Sequence, residues 1–198
     1  KNVKKFIFLS SIRVVSDNYQ GLITENTAVN PSSDYGKLKN EIETYLRVKK
    51  SANNMSKIIL RITNGYGYPI HNLSDCWNLV VMNICKQAIE NGEIKLKSSG
   101  QAYKDFIPIS TIAKVVNAIA IDENLNSTEI FNVSSGKSSK VIDFIMKVNE
   151  KLESKLSKKI KISLNNLDNA LPARCLTLTP YLDPYRAVAP VFCVLLDI

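Results

Sequence analysis

Histidine and paired cysteines are what this chain most conspicuously lacks. His71 is the single histidine, and Cys76, Cys85, Cys175 and Cys193 form no C-x-x-C pair. A zinc site needs clustered thiolate and imidazole ligands, so no metal is expected. Four separate reduced thiols fit a cytoplasmic location. Long apolar runs are also missing. None approaches the roughly 18–20 residues needed to cross a bilayer, so no membrane span is expected. The basic start, Lys1 to Lys5, leads into only four apolar residues, Phe6 to Leu9, before Ser10-Ser11 and Arg13. A signal peptide would need a longer apolar stretch and a small-residue cleavage site, so the segment reads as a buried strand. Residue 1 is not methionine and is not expected to be a natural start.

Acidic residues are outnumbered, 18 against 26 Lys and Arg, for a net charge of +8. The excess raises the question of nucleic acid. However, the lysines are scattered, with short clusters only at Lys49-Lys50 and Lys158-Lys159, and no aromatic side chains are interleaved as stacking platforms. No nucleic-acid partner is expected. With 198 residues, 45% of them hydrophobic, the chain is long enough for a substantial core.

The apolar pattern alternates between short runs and helical spacings. Strands are expected at Lys5–Leu9, Lys57–Ile62, Glu93–Lys97, Phe106–Ile109 and Glu129–Val133. Helices are expected from Tyr35 to Ala52, capped by Ser33-Asp34, and from Cys76 to Asn91. Two more should run from a Ser110 cap to Ile121 and from Ser138 or Ser139 onward. Ser10 to Pro31 and Asn64 to Asn72 read as loops. Strands alternating with helices imply an α/β protein with parallel pairing. The strands near 5–9, 57–62 and 129–133 should lie side by side. The stretch 171–198 differs, because lysine is absent after Lys161 and Ala, Pro, Leu, Arg and Val take over. It reads as an atypical, poorly packed tail, either non-native or a specialised C-terminal element.

One local pattern carries chemistry. Tyr35 and Lys39, in Tyr35-Gly36-Lys37-Leu38-Lys39, are four residues apart and share a helix face. An ammonium held near a phenol favours the phenolate and equips the tyrosine as a general base. Upstream, a buried strand ends in Ser10-Ser11. A serine at the carboxyl end of a parallel strand faces the crevice where α/β proteins bind ligands. Taken singly, a Tyr/Lys pair is more often a solvated helix face, and a serine pair more often a turn.

Five segments together resemble one family. Phe6 to Val15 looks like the serine strand of sugar-nucleotide epimerases and dehydratases, the extended short-chain dehydrogenase/reductase type. Ser33-Asp34-Tyr35-Gly36-Lys37-Leu38-Lys39 resembles their active-site helix. Leu60-Arg61-Ile62-Thr63-Asn64-Gly65-Tyr66-Gly67 resembles L-R-x-x-N-x-Y-G, and Lys104-Asp105-Phe106-Ile107 resembles R-D-F-I with lysine for arginine. Phe131-Asn132-Val133-Ser134-Ser135-Gly136 resembles Y-N-V-G-x-G. The segments keep the family's order over residues 1–150, and UDP-glucose 4-epimerase and its relatives are the nearest group.

The resemblance implies a partial doubly wound (Rossmann-like) parallel sheet with a smaller α/β substrate lobe. Residues 1–64 would form the C-terminal half of the NAD(P)-binding domain. Residues 65–170 would form the substrate lobe, with a returning strand near 129–133, and 171–198 the tail. It also implies NAD or NADP as cofactor, a nucleotide-sugar substrate and a homodimer in the intact enzyme. Ser11 would hydrogen-bond the reacting sugar oxygen, Tyr35 would move the proton, and Lys39 would assist Tyr35 and bind the nicotinamide ribose. Thr63 would approach the nicotinamide, while Asn64 and Lys104 would meet the diphosphate. The plain alternatives are a turn residue at Asn64, a surface lysine at Lys104 and an Asx turn at Asn132. Two departures accompany the likeness, a missing phosphate loop and a tail, 171–198, unlike the family's closing segment, so that part of the substrate lobe is expected to be missing or replaced. No G-x-x-G-x-x-G loop to hold the dinucleotide phosphates occurs among the seven glycines, so an N-terminally truncated fragment with weak or no NAD affinity is expected. Ile12 and Arg13 stand where a 4,6-dehydratase needs an acidic pair, which argues for an epimerase or ketoreductase. The alternative function is a non-catalytic remnant or binding module.

Overall fold

The computed structural model describes residues 3–16, 19, 21–50, 55–69, 76–125, 127–165 and 176–178. Strand β1 (Lys5–Ser11) runs directly into a single 3₁₀ turn, Ile12–Val14, and is followed by a short β2 (Gly21–Ile23). Helix α1 spans Asp34–Val48, β3 Ser56–Ile62 and β4 Asn64–Tyr66. Next come α2 (Val80–Asn91), β5 (Glu93–Leu96), β6 (Tyr103–Pro108), α3 (Ile109–Ile121) and β7 (Thr128–Val133). The chain continues through β8 (Ser138–Lys140), α4 (Val141–Leu156), β9 (Lys161–Leu164) and β10 (Leu176–Leu178).

The central sheet has the order β1-β3-β7, all parallel, as the buried apolar runs require. Its register aligns Ser10 with Arg61 and Arg61 with Asn132, so the carboxyl ends of all three strands finish together. A second sheet joins β4 to β6 in parallel and β6 to β8 in antiparallel sense. Strand β5 pairs with β9, and β2 with β10. This is a mixed α/β, Rossmann-like arrangement. Among the described residues no helix is long and apolar enough to cross a membrane.

Two hydrophobic cores meet at β6. Ile58, Leu60, Ile112, Val115 and Phe131 pack α3 on the central sheet. Ile84, Ile94, Val141, Ile145 and Ile160 knit α2, α4, β5 and β9 together. Successive β6 residues serve different cores, Phe106 the second and Ile107 the first, as the two-residue period of a strand dictates. Phe106 stacks on Phe144 at 4.2 Å between ring centroids, and Tyr66 meets the edge of Phe144 at 5.5 Å.

Several boundaries differ from expectation for local reasons. Helix α1 ends at Val48 rather than Ala52, because the buried Lys57 ammonium donates to the carbonyls of Leu46 and Lys49 and so terminates the helix from the side. Helix α2 starts at Val80 rather than Cys76, after a turn closed by Leu79 N–H on the Cys76 carbonyl. Strand β6 begins at Tyr103 and passes straight into α3, with Pro108 rather than Ser110 at the cap position. Ser138 and Ser139 do not open α4. They pair with Asp105 and Lys104 as β8, filling an open edge of β6. The expected loops at Ser10–Pro31 and Asn64–Asn72 hold β2 and β4. Apart from β10, the segment 171–198 lies outside the described residues, and with it the expectation about its packing.

Candidate functional site

Tyr35 is the second residue of α1, and Lys39 follows one turn later. The Ser33 hydroxyl caps the helix by accepting from Gly36 N–H at 3.2 Å, and Asp34 sits in the first turn, where the helix dipole favours a carboxylate. Lys39 Nζ lies 5.5 Å from the centre of the Tyr35 ring and 4.9 Å from that of Phe8 on β1. It donates a 2.9 Å hydrogen bond to the Leu9 carbonyl. One ammonium therefore ties the tyrosine's side of the helix to the carboxyl end of β1, two residues before Ser11.

Ser11 ends β1 and is buried. Its hydroxyl accepts from Arg13 N–H at 3.3 Å and so caps the 3₁₀ turn. Tyr35, by contrast, is 52% exposed, so its phenol is open to a ligand. Gly36 explains how the two segments come so near. A Cβ there would stand 2.5 Å from the Arg13 carbonyl oxygen and 3.0 Å from Pro31 Cβ. The first turn of α1 thus rests on the backbone that follows Ser11, and only glycine fits between them.

Beneath this contact lies a buried ionic network. Glu43, one turn beyond Lys39 on the same helix face, is 1% exposed, and Arg61 on β3 is 2% exposed. Arg61 Nη2 meets Glu43 Oε2 at 2.7 Å, and Arg61 Nε donates to both carboxylate oxygens at 3.1 and 3.2 Å. Ser10 Oγ donates to Glu43 Oε1 at 2.5 Å. Arg61 Nη1 also donates to the Glu25 carbonyl, and the Glu25 carboxylate accepts from Asn132 N–H at 2.7 Å. These bonds fasten α1 and the loop after β2 to the polar ends of β1, β3 and β7. Glu43 is not among the candidates that the sequence singles out. The available signal was Arg61 inside an otherwise apolar strand, since a buried guanidinium demands a carboxylate, and Glu43 continues the Tyr35/Lys39 spacing.

The other three candidates gather elsewhere, at the seam of β3 and β6. Thr63 Oγ1 donates to Asp105 Oδ1 at 2.8 Å, which leaves only its lone pairs for a ligand. Asn64 Nδ2 donates to the Asp105 backbone carbonyl at 2.8 Å. Lys104 precedes Asp105 on β6, half-buried and opposite Ser139. Asp105 itself, 1% exposed, also accepts from Ser135 N–H, Ser135 Oγ and Lys137 N–H. Asp105 and Ser135 lie in the family-like segments Lys104–Ile107 and Phe131–Gly136, but the sequence assigns neither a role. An acid entering the apolar run Phe106-Ile107 was the signal. Nearby, burial pushes the Tyr66 phenol pKa up. A shallow concavity lined by Asn40, Glu41, Thr44, Tyr45 and Val48 lies on the opposite helical phase of α1 and is separate from these residues.

A family model described as the NAD dependent epimerase/dehydratase family matches residues 1–134. Among curated proteins, the chain is 29% identical over 119 residues to a dTDP-L-rhamnose 4-epimerase of Burkholderia thailandensis, covering 60% of this chain and 32% of that protein. It is 24% identical over 132 residues to dTDP-glucose 4,6-dehydratase 1 of Escherichia coli, covering 67% and 35%. The chain thus spans about a third of the length of these relatives. A solved UDP-glucuronic acid 4-epimerase from Bacillus cereus, in complex with UDP-glucuronic acid and NAD, superposes with a TM-score of 0.70 at 20% identity. That superposition covers 90% of this chain and 52% of that one. A UDP-N-acetylglucosamine 4-epimerase from Methanobrevibacter ruminantium gives a TM-score of 0.67 at 24% identity, over 89% and 53%. At these identities the solved structures establish the shared fold.

Proposed function

The chain belongs to the NAD dependent epimerase/dehydratase family, and from that premise we propose that it carries the Ser-Tyr-Lys part of an NAD(P)-dependent sugar-nucleotide epimerase or ketoreductase. The observation that carries the reading is Lys39, placed against the Tyr35 ring and anchored on Leu9 beside the Ser11 end of β1. In the proposal Tyr35 and Ser11 turn their hydroxyls to one crevice. Tyr35 takes the proton of the sugar hydroxyl as general base, and Ser11 hydrogen-bonds the reacting oxygen. The Lys39 charge offsets the negative charge that develops on the tyrosine oxygen, and its N–H groups not used by Leu9 are available to ribose hydroxyls. NAD or NADP, when bound, supplies the hydride acceptor.

The residues present fit the nicotinamide-ribose end of that cofactor, because an exposed phenol and an ammonium stand at the carboxyl ends of parallel strands. For the pyrophosphate end the 198 residues hold no G-x-x-G-x-x-G segment. Ile12 and Arg13 occupy the 3₁₀ turn after Ser11, with no carboxylate there for water elimination, which favours epimerase or ketoreductase over 4,6-dehydratase. Residues 1–64 would serve the cofactor and 65–170 the nucleotide sugar, the latter supported by the separate core around α2 and α4. A cytoplasmic homodimer belongs to the same proposal.

Turnover of a UDP-hexose with NAD⁺ tests the proposal in the full-length protein that carries these residues. Tyr35→Phe should cost on the order of 10²–10⁴-fold in turnover, the range of a general acid–base group, with the fold intact. Lys39→Ala should weaken both cofactor binding and turnover, and Ser11→Ala mainly turnover. Near-full activity of Tyr35→Phe would overturn the general-base role. Isothermal titration of NAD⁺ into the 198-residue chain should show weak or no binding, and tight stoichiometric binding would reveal a phosphate site that the sequence does not display.

A further inference from the structure

The turn between β7 and β8 is built to hold an anion, and the chain supplies one itself. Gly136, at φ +74°, lies in the left-handed region and turns the backbone N–H groups of Ser135 and Lys137 toward a common point. Asp105 fills that point. Its Oδ1 accepts from Ser135 N–H at 2.9 Å, and its Oδ2 accepts from Ser135 Oγ at 2.7 Å and Lys137 N–H at 3.1 Å. The same Oδ1 accepts from Thr63 Oγ1, and the Asp105 carbonyl accepts from Asn64 Nδ2. The buried Asp105 side chain therefore grips two segments that leave the carboxyl ends of different strands, at Thr63 after β3 and at Ser135 and Lys137 after β7, while its backbone carbonyl holds Asn64.

We infer that Asp105 is a positioning residue that locks the β7–β8 turn to the exit of β3, so that Asn64 and Lys104 are presented on one rigid wall. The ligand half of this inference rests on the reading proposed above, in which that wall takes the diphosphate of a nucleotide sugar. Substitution by asparagine is a clean perturbation. In either orientation its NH₂ faces a backbone N–H, that of Ser135 or that of Lys137, so one donor always meets another.

The test follows amide hydrogen exchange in the 198-residue chain, with UDP titration as a second readout. In Asp105→Asn, exchange should rise at least about tenfold in both 63–66 and 134–138, as loss of a charge-assisted hydrogen bond implies. Exchange in Ile58–Leu60 and in α4 should stay as in the parent. Thr63→Val, which removes one of the gripping bonds, should act in the same direction and more weakly. A merely structural aspartate would instead accelerate exchange throughout the sheet, and that outcome overturns the inference. Acceleration confined to 134–138 overturns it as well, because the two segments would then be independent. UDP affinity should fall in Asp105→Asn, and an unchanged affinity also counts against the inference. If the parent chain binds no UDP, the diphosphate reading fails, while the exchange pattern still decides whether Asp105 couples the two segments.

Discussion

Glu43→Gln is the sharpest perturbation of the framework under Tyr35 and Lys39. The substitution keeps shape and removes one charge, leaving the 2%-exposed Arg61 without a carboxylate. Three N–H contacts from Arg61 and the Ser10 hydroxyl all converge on Glu43, so the amide NH₂ must face a donor in either orientation. Removing one partner of a buried pair costs about 3–5 kcal/mol. A domain of this kind has about 5–15 kcal/mol in total, so the loss is a large share. In urea, where ΔG falls by about 1–3 kcal/mol per molar, the midpoint should drop by roughly 2 M, measured by far-ultraviolet circular dichroism. The exposed pair Lys37–Asp34 provides the control. It is held at 3.4 Å on the surface of the same helix, and Lys37→Gln should change stability by less than about 1 kcal/mol. Replacing both buried partners, as in Glu43→Leu with Arg61→Met, should restore much of the loss, since apolar pairs of similar volume often substitute for buried ions. If Glu43→Gln alone costs less than about 1 kcal/mol, the network is not what holds α1 on the sheet.

Gly36→Ala should destabilise the chain although alanine is the better helix former. Overpacking against the Arg13 carbonyl and Pro31 costs about 1–3 kcal/mol, against about 1 kcal/mol gained in helix propensity, and a urea melt more stable than the parent would refute the close approach. A pH dependence is expected at the joint between α4 and β9. The Glu153 carboxyl is held below the usual range chiefly by the Ile160 N–H, and that of Glu93 chiefly by the Ser163 hydroxyl. Depressed acids stabilise above their ordinary pKa and lose that contribution as pH falls through the lowered value. Exchange in Lys161–Leu164, corrected for intrinsic rates, should therefore quicken below the normal glutamate range and not between pH 6 and 8.

The central sheet was legible in the sequence because its information is local. Runs such as Lys57 to Ile62, apolar on both faces, fit a strand buried between helices, and alternation with helical spacing implies parallel neighbours. The structure places β1, β3 and β7 in that arrangement. The i, i+4 relation of Tyr35 and Lys39 was equally legible, since it depends only on helical geometry. Pairings over long sequence separation were not. Nothing within ten residues of Ser138 says that it completes the edge of β6 instead of capping a helix, and nothing near Glu43 names Arg61 as its partner.

Thr63 and Asn64 show the same division. The sequence by itself determined that they follow a buried strand at its carboxyl end. Only the tertiary structure decided that the proton of one and an amide N–H of the other go to Asp105, 42 and 41 residues away. The physical reason is the cost of burying polar groups. A side chain taken out of water must find a partner wherever the fold brings one, and that choice depends on how β3, β6 and the turn after β7 meet in space.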